Sequence, residues 1–232
     1  MKQERGLRRM MWVAVVLLAL IGVAIVGRRV VALVPVLVGG GSAPEATNPV
    51  AAQFAALDKV FADYPVLTLV HIIPGLLFML LGPLQFSTRL RARYPAWHRW
   101  AGRVFLLSSL VIGVSALVMS VAMPSIGGPL QAAATSVFGA WFLYALGKAF
   151  RHILRREVAQ HRVWMIRAFA TGLAVATIRP IIGLFFATSA LSGLTPDSFF
   201  GPAFWIGFVL NTLVAELWIQ RTGLQRMHMV RR

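Results

Sequence analysis

A chain of 232 residues, 58% hydrophobic and only 13% charged, is too apolar for an ordinary soluble domain and belongs in lipid. Its net charge of +16 would suit a nucleic-acid binder, but the basic residues sit in short runs between apolar spans, where they orient membrane helices and meet anionic headgroups, so membrane lipids and not nucleic acid are the expected partners. With no cysteine, the chain forms no disulfide and no thiolate metal site, and no other metal-ligand cluster is expected.

A spanning helix takes about 20 mostly apolar residues. The first such run, Met11–Gly27, follows a basic tail at residues 1–10 that carries Lys2, Arg5, Arg8 and Arg9. No convincing A-x-A cleavage site follows it, so it reads as an uncleaved anchor. Beyond Arg28 and Arg29, Val30–Val38 either prolongs this helix or lies in the interface, which gives a first segment of residues 11–38. In residues 39–65, Gly39-Gly40-Gly41-Ser42 with Pro44 and Pro49 has the composition of a flexible linker. Phe54, Leu57, Phe61 and Tyr64 then recur at helical spacing, as in a short amphipathic helix capping the bundle from outside. Pro65 sets its boundary with the second span. Five further runs, Val66–Phe86, Trp100–Ala122, Leu130–Lys148, Val163–Ala187 and Ala203–Gln220, make a five-helix core over residues 66–220, followed by a basic tail at 221–232.

Six spans return both termini to one side. The N-terminal tail, the segment with Arg89, Arg91, Arg93 and Arg99, the segment with Lys148, Arg151, Arg155, Arg156 and Arg162, and the tail with Arg221, Arg226, Arg231 and Arg232 all fall on that side, which identifies it as the cytoplasm. Glu45, Asp58, Asp63 and Asp197 fall on the other, where Arg28-Arg29 is the one exception to the bias. The expected fold is all-α: a bundle of six transmembrane helices in a bacterial cytoplasmic membrane, with both termini cytoplasmic.

Ionisable groups inside apolar spans are costly and usually face a bundle interior or a water-filled cavity. His71 lies about 8 Å into the second span from outside, and Arg179 about 24 Å from the inner boundary, so they share the outer third. With Gln85 and Asn211 they form the outer set of ligand-binding candidates. Glu216, about 20 Å from the outer face, is expected to pair with Arg103 or Arg167. These three with His98 and His161 form an inner set suited to a structural ion pair or to headgroup binding. His71, Gly75, Phe78, Gly82 and Gln85 make one stripe of the second span, and Gly102, Ser109, Gly113, Ala116 and Ser120 a small-residue stripe of the third, so the helices carrying the polar groups are expected to touch. Pro74, Pro83 and Pro180 free backbone carbonyls that neighbours must satisfy.

No Ser-His-Asp arrangement, H-E-x-x-H, P-loop or G-x-G-x-x-G occurs, so no catalytic residue is assigned. The polar groups suit a lipid-soluble or amphipathic ligand of lipid or quinone type held in an interior pocket. A second reading is a membrane redox protein, with His98 and His161 at matching depth as ligands of a b-type haem; His71 has no histidine partner at its own depth, so the two-haem pattern of cytochrome b561-like proteins is absent. A proton-coupled transporter using His71, Arg179, Asn211 and Glu216, or a structural or assembly subunit, is the third.

Two segments nearly rhyme, His98-Arg99-Trp100 with Arg103 and Phe105, and His161-Arg162-Val163-Trp164 with Arg167 and Phe169, as in two hairpins of the same orientation. Together with His71 and Gly75, Gly82-Pro83-Leu84-Gln85-Phe86 and Arg179, the HRWAGRVF segment from His98 and the HRVWMIRAF segment from His161 resemble the bacterial membrane proteins grouped as domain-of-unknown-function family 2306, over roughly Val66 to Gln220. The resemblance implies a multi-pass membrane protein of bacterial type. It implies no activity, so the site residues above rest on their physical chemistry.

Overall fold

A computed structural model describes residues 2–38 and 58–223 of the protein. Every regular element among them is helical: α1 Lys2–Val38, α2 Pro65–Phe86, α3 Thr88–Arg93, α4 Pro95–Ala122, α5 Gly128–Leu154, α6 Val158–Ser192 and α7 Pro196–Arg221, with a turn of helix at 58–62 before α2. All but α3 are long and apolar enough to cross a membrane, so the six expected spans are present. The linker at 39–57, with Phe54 and Leu57 of the expected amphipathic helix, and the tail from residue 224, with Arg226, Arg231 and Arg232, lie outside the described residues.

Several helices begin earlier than hydropathy alone places them, and three of these starts have proline as a local cause. Proline at the first turn has no N–H to leave unsatisfied and a φ already suited to the helix. Pro65, Pro95 and Pro196 each open a helix in this way. His98 and His161 lie within the first turn of α4 and α6, a few residues past the helix starts. The arginine-rich segment before α4 contains a further helix, α3. Ser87 is extended and accepts a hydrogen bond from the Leu90 N–H at 3.3 Å, which caps it. Arg91 and Arg93 in its last turn complement the helix dipole, and none of its residues is buried. The corresponding connection between α5 and α6 is instead a tight turn, with Arg156 in the left-handed region at φ 60° and His152 Nδ1 2.5 Å from Glu157 Oε2. The rhyming segments thus follow different connections.

Val30–Val38 prolongs the first helix. α1 runs unbroken to Val38, and its 37 residues extend about 55 Å, well beyond a hydrocarbon core of about 30 Å. Its charged N-terminal turns can thus lie beyond the apolar region.

The chain forms two compact units, Met1–Ser115 and Ala116–Arg232, which divide within α4. In the first, α1 lies against α2 where Gly22 meets Met79. α2 meets α4 through Phe78 and Phe105, stacked with centroids 5.0 Å apart and both almost fully buried. In the second, α5, α6 and α7 pack against one another. Gly207 brings α7 so near α6 that an added Cβ would lie 2.4 Å from Ile178 Cγ1. Trp205 Nε1 donates to the Leu130 carbonyl at 3.1 Å, Phe138 stacks on Phe208, and Phe185 stacks on Phe199. Aromatic stacking and glycine contacts thus take the place of the hydrophobic driving force, which lipid-facing helices lack.

Candidate functional site

The polar stripe expected on α2 lies along α4. His71 Nδ1 is 2.9 Å from Ser115 Oγ, and that hydroxyl donates its single hydrogen to the Val111 carbonyl at 2.7 Å. With the hydroxyl hydrogen on that carbonyl, the serine oxygen accepts from Nδ1–H and Nε2 is the acceptor nitrogen of the neutral ring; in the other tautomer the roles reverse. Further along the same seam, Gly75 faces Ile112, Phe78 faces Phe105, and Gln85 lies beside Gly102, whose added Cβ would meet Gln85 Oε1 at 3.3 Å. Residue numbers rise on α2 as they fall on α4, as antiparallel neighbours require. Both stripes read from the sequence contribute, although bulky Phe78 and Phe105, with Ile112, fill much of the seam that small residues were expected to close.

One group in this seam lacks a partner. Gln85 Nε2 is buried with no hydrogen bond among the described residues. A buried amide donor without an acceptor costs about 1–3 kcal/mol, so such groups are rare in folded proteins. The sequence places His71 and Gln85 in one outer set, but they are fourteen residues apart on α2, about 21 Å, and mark opposite ends of the seam.

In the second unit, Glu216 and Asn211 are bonded within the bundle. Arg167 grips Glu216 with two parallel bonds, Nε to Oε1 at 2.6 Å and Nη2 to Oε2 at 2.9 Å, and its guanidinium lies over the Trp164 ring at 4.5 Å. Of the two partners the sequence offered Glu216, Arg167 takes it, while Arg103 is exposed on α4. Asn211 is used at both ends of its amide, donating to the Ala170 carbonyl and accepting from Thr177 Oγ1, each at 3.0 Å. Arg179 follows Thr177 by two residues, half-buried and just before Pro180. His161 Nδ1 lies 2.9 Å from the Ala149 carbonyl, which can only accept, so this ring also keeps Nε2 as its acceptor.

The expected pairings of His71 with Arg179 and of His98 with His161 take one residue from each unit. His98 lies in the first turn of α4, its backbone N–H bonded to the Tyr94 carbonyl at 3.0 Å. No cluster of three or more His, Cys, Asp or Glu suited to a metal ion occurs among the described residues.

One assembly escaped sequence reasoning. Asp58 receives two bonds from Arg28, at 2.8 and 2.9 Å, and a third from Arg29, whose guanidinium lies 3.9 Å from the Phe61 ring centroid and is almost wholly buried. The signal was the anomaly itself. Two arginines at the end of the first span opposite its basic tail depart from the expected charge bias, and Asp58 is among the few carboxylates near them in the sequence. Ser115 and Thr177 also escape a reading of the sequence, because a lone hydroxyl within an apolar span has no pattern of its own.

A family model described as "Predicted membrane protein (DUF2306)" matches residues 68–219, from the second span through the sixth. No curated protein and no solved structure matches the chain.

Proposed function

From the premise that this chain belongs to the DUF2306 family of predicted membrane proteins, we propose that it binds an amphipathic or lipid-soluble ligand, of lipid or quinone type, in the polar interior of its helix bundle. The observation that carries the reading is Gln85 Nε2, a donor buried in the α2–α4 seam with no acceptor of its own. A ligand carbonyl or headgroup oxygen supplies that acceptor, and His71 Nε2, at the far end of the seam, accepts from a ligand hydroxyl. Between them the seam is least tight at Gly75, where an added Cβ would only reach ordinary contact with Ile112 at 3.9 Å.

The protein acts in this reading as a multi-pass component of a bacterial cytoplasmic membrane with both termini inside. The support is the loop-by-loop charge bias, to which Arg28-Arg29, sharing the single carboxylate of Asp58, is the one exception. Reporter fusions after Arg93, Arg155 and Gly223 test the orientation: all three report cytoplasm, and a periplasmic signal from any of them refutes it.

The ligand reading is tested by extracting lipids and quinones from the full chain purified in mild detergent and comparing them with the bulk membrane by mass spectrometry. Wild type retains one class selectively, and Gln85→Leu and His71→Ala lose it. Wild-type protein carrying only the bulk lipid mixture would reduce the seam to packing.

A second reading has its own observation. His161 commits Nδ1–H to a backbone carbonyl and His71 Nδ1 is held by Ser115, and metal-ligating histidines are oriented in this way to present Nε2. A b-type haem on either would give a reduced-minus-oxidised difference spectrum, and a flat spectrum from folded, unstripped protein excludes it.

A further inference from the structure

Lys148 lies on α5 six residues before its end at Leu154, and Trp164 lies on α6 six residues after its start at Val158. Both are thus about 9 Å from the connected ends of the two helices, near the level where a bilayer passes from hydrocarbon to headgroup. Lys148 Nζ sits 5.5 Å from the Trp164 ring centroid. The Trp164 ring packs edge-on against Tyr144 at 5.6 Å and lies 6.1 Å from Trp141, which in turn stacks on Tyr144 at 5.8 Å. Tyr144 is 54% exposed, so the aromatic patch opens outward from the second unit. Tryptophan and tyrosine at this level are the usual anchors of a membrane interface, with an apolar body and a polar edge.

The charges around Trp164 do not balance. Arg167 on the same ring is matched by Glu216, but Lys148 makes no ion pair among the described residues. One positive charge is left over at headgroup depth, beside rings that suit glycerol and the first methylenes of a chain. We propose that Lys148, Trp141, Tyr144 and Trp164 form a binding site for an anionic phospholipid, whose phosphodiester supplies the single missing negative charge. The site belongs to the second unit and depends on the α5 and α6 spans alone. It does not rest on the α2–α4 ligand reading, and the variants that test it leave that seam untouched.

The test is native mass spectrometry of the full chain in detergent, titrated with phosphatidylglycerol or phosphatidylcholine. Wild type retains phosphatidylglycerol in preference to phosphatidylcholine. Lys148→Gln weakens that retention about fivefold, the ratio equivalent to the ~1 kcal/mol one Lys or Arg contributes near an anionic surface. Lys148→Arg keeps it. Arg91→Gln, the same charge change on α3, leaves it at the wild-type level. Equal retention of the two lipids overturns the proposal, as does an equal loss in Lys148→Gln and Arg91→Gln. So does displacement of phosphatidylglycerol by inorganic phosphate, which would mark a free-anion site. Unfolding temperatures of Lys148→Gln and wild type within a degree or two separate a lost lipid site from a damaged bundle.

Discussion

The two units each contain a polar seam between antiparallel helices, and the seams are finished differently. Between α6 and α7, Arg167 and Glu216 satisfy each other with two bonds, both ends of the Asn211 amide are used, and Gly207 leaves no space against Ile178. Between α2 and α4, His71 reaches Ser115, Gln85 has a buried amide nitrogen without a partner, and Gly75 has ordinary room. A polar group with every bond made inside the bundle is a packing device, and the α6–α7 seam has the features of one. A seam that keeps a donor in hand has left part of its bonding to something else. The costlier-looking residues, the ion pair, are therefore the weaker guide to a ligand, and the neutral glutamine is the stronger.

The largest effect that distinguishes the seams comes from the ion pair. Arg167→Leu strands the Glu216 carboxylate and lowers stability by about 3–5 kcal/mol, read from thermal unfolding in detergent. Adding Glu216→Leu recovers part of the loss, and simple additivity of the two changes would mean that the contact does not couple the helices.

Glycine substitutions compare the space in the seams. Gly207→Ala forces Ile178 aside and costs about 1–3 kcal/mol, whereas Gly75→Ala shifts stability by less than about 1 kcal/mol. Equal effects would erase the packing contrast. The amides follow. Asn211→Leu breaks two bonds at about 0.6–1.7 kcal/mol each, the range for interhelical bonds in membranes. Gln85→Leu removes an unsatisfied donor and leaves the unfolding temperature equal or higher while abolishing selective ligand retention. A large drop for Gln85→Leu would show that its amide is already satisfied and would remove the basis for a ligand there. The smallest effect is expected away from both seams. Arg28 is about half exposed, so Arg28→Gln costs at most about 1 kcal/mol, with Arg29 still on Asp58.

The sequence by itself determined that this protein is a six-span helical membrane protein and which residues its spans carry, because every backbone polar group in lipid must be satisfied within its own helix and about 20 apolar residues therefore announce one. It also determined the α2 stripe, since a 3.6-residue period is local information, and it narrowed the partners of Glu216 to two. Only the tertiary structure chose Arg167 over exposed Arg103, brought Asp58 to Arg28 and Arg29 from about 30 residues away, and brought Ser115 to His71. Those choices depend on how far each helix rotates about its axis and on which helix stands opposite, and no spacing within one segment encodes either. Partner satisfaction is a property of pairs. The difference between Asn211, with both ends bound, and Gln85, with one end waiting, is therefore invisible in a list of polar residues and becomes apparent only when the helices are set side by side.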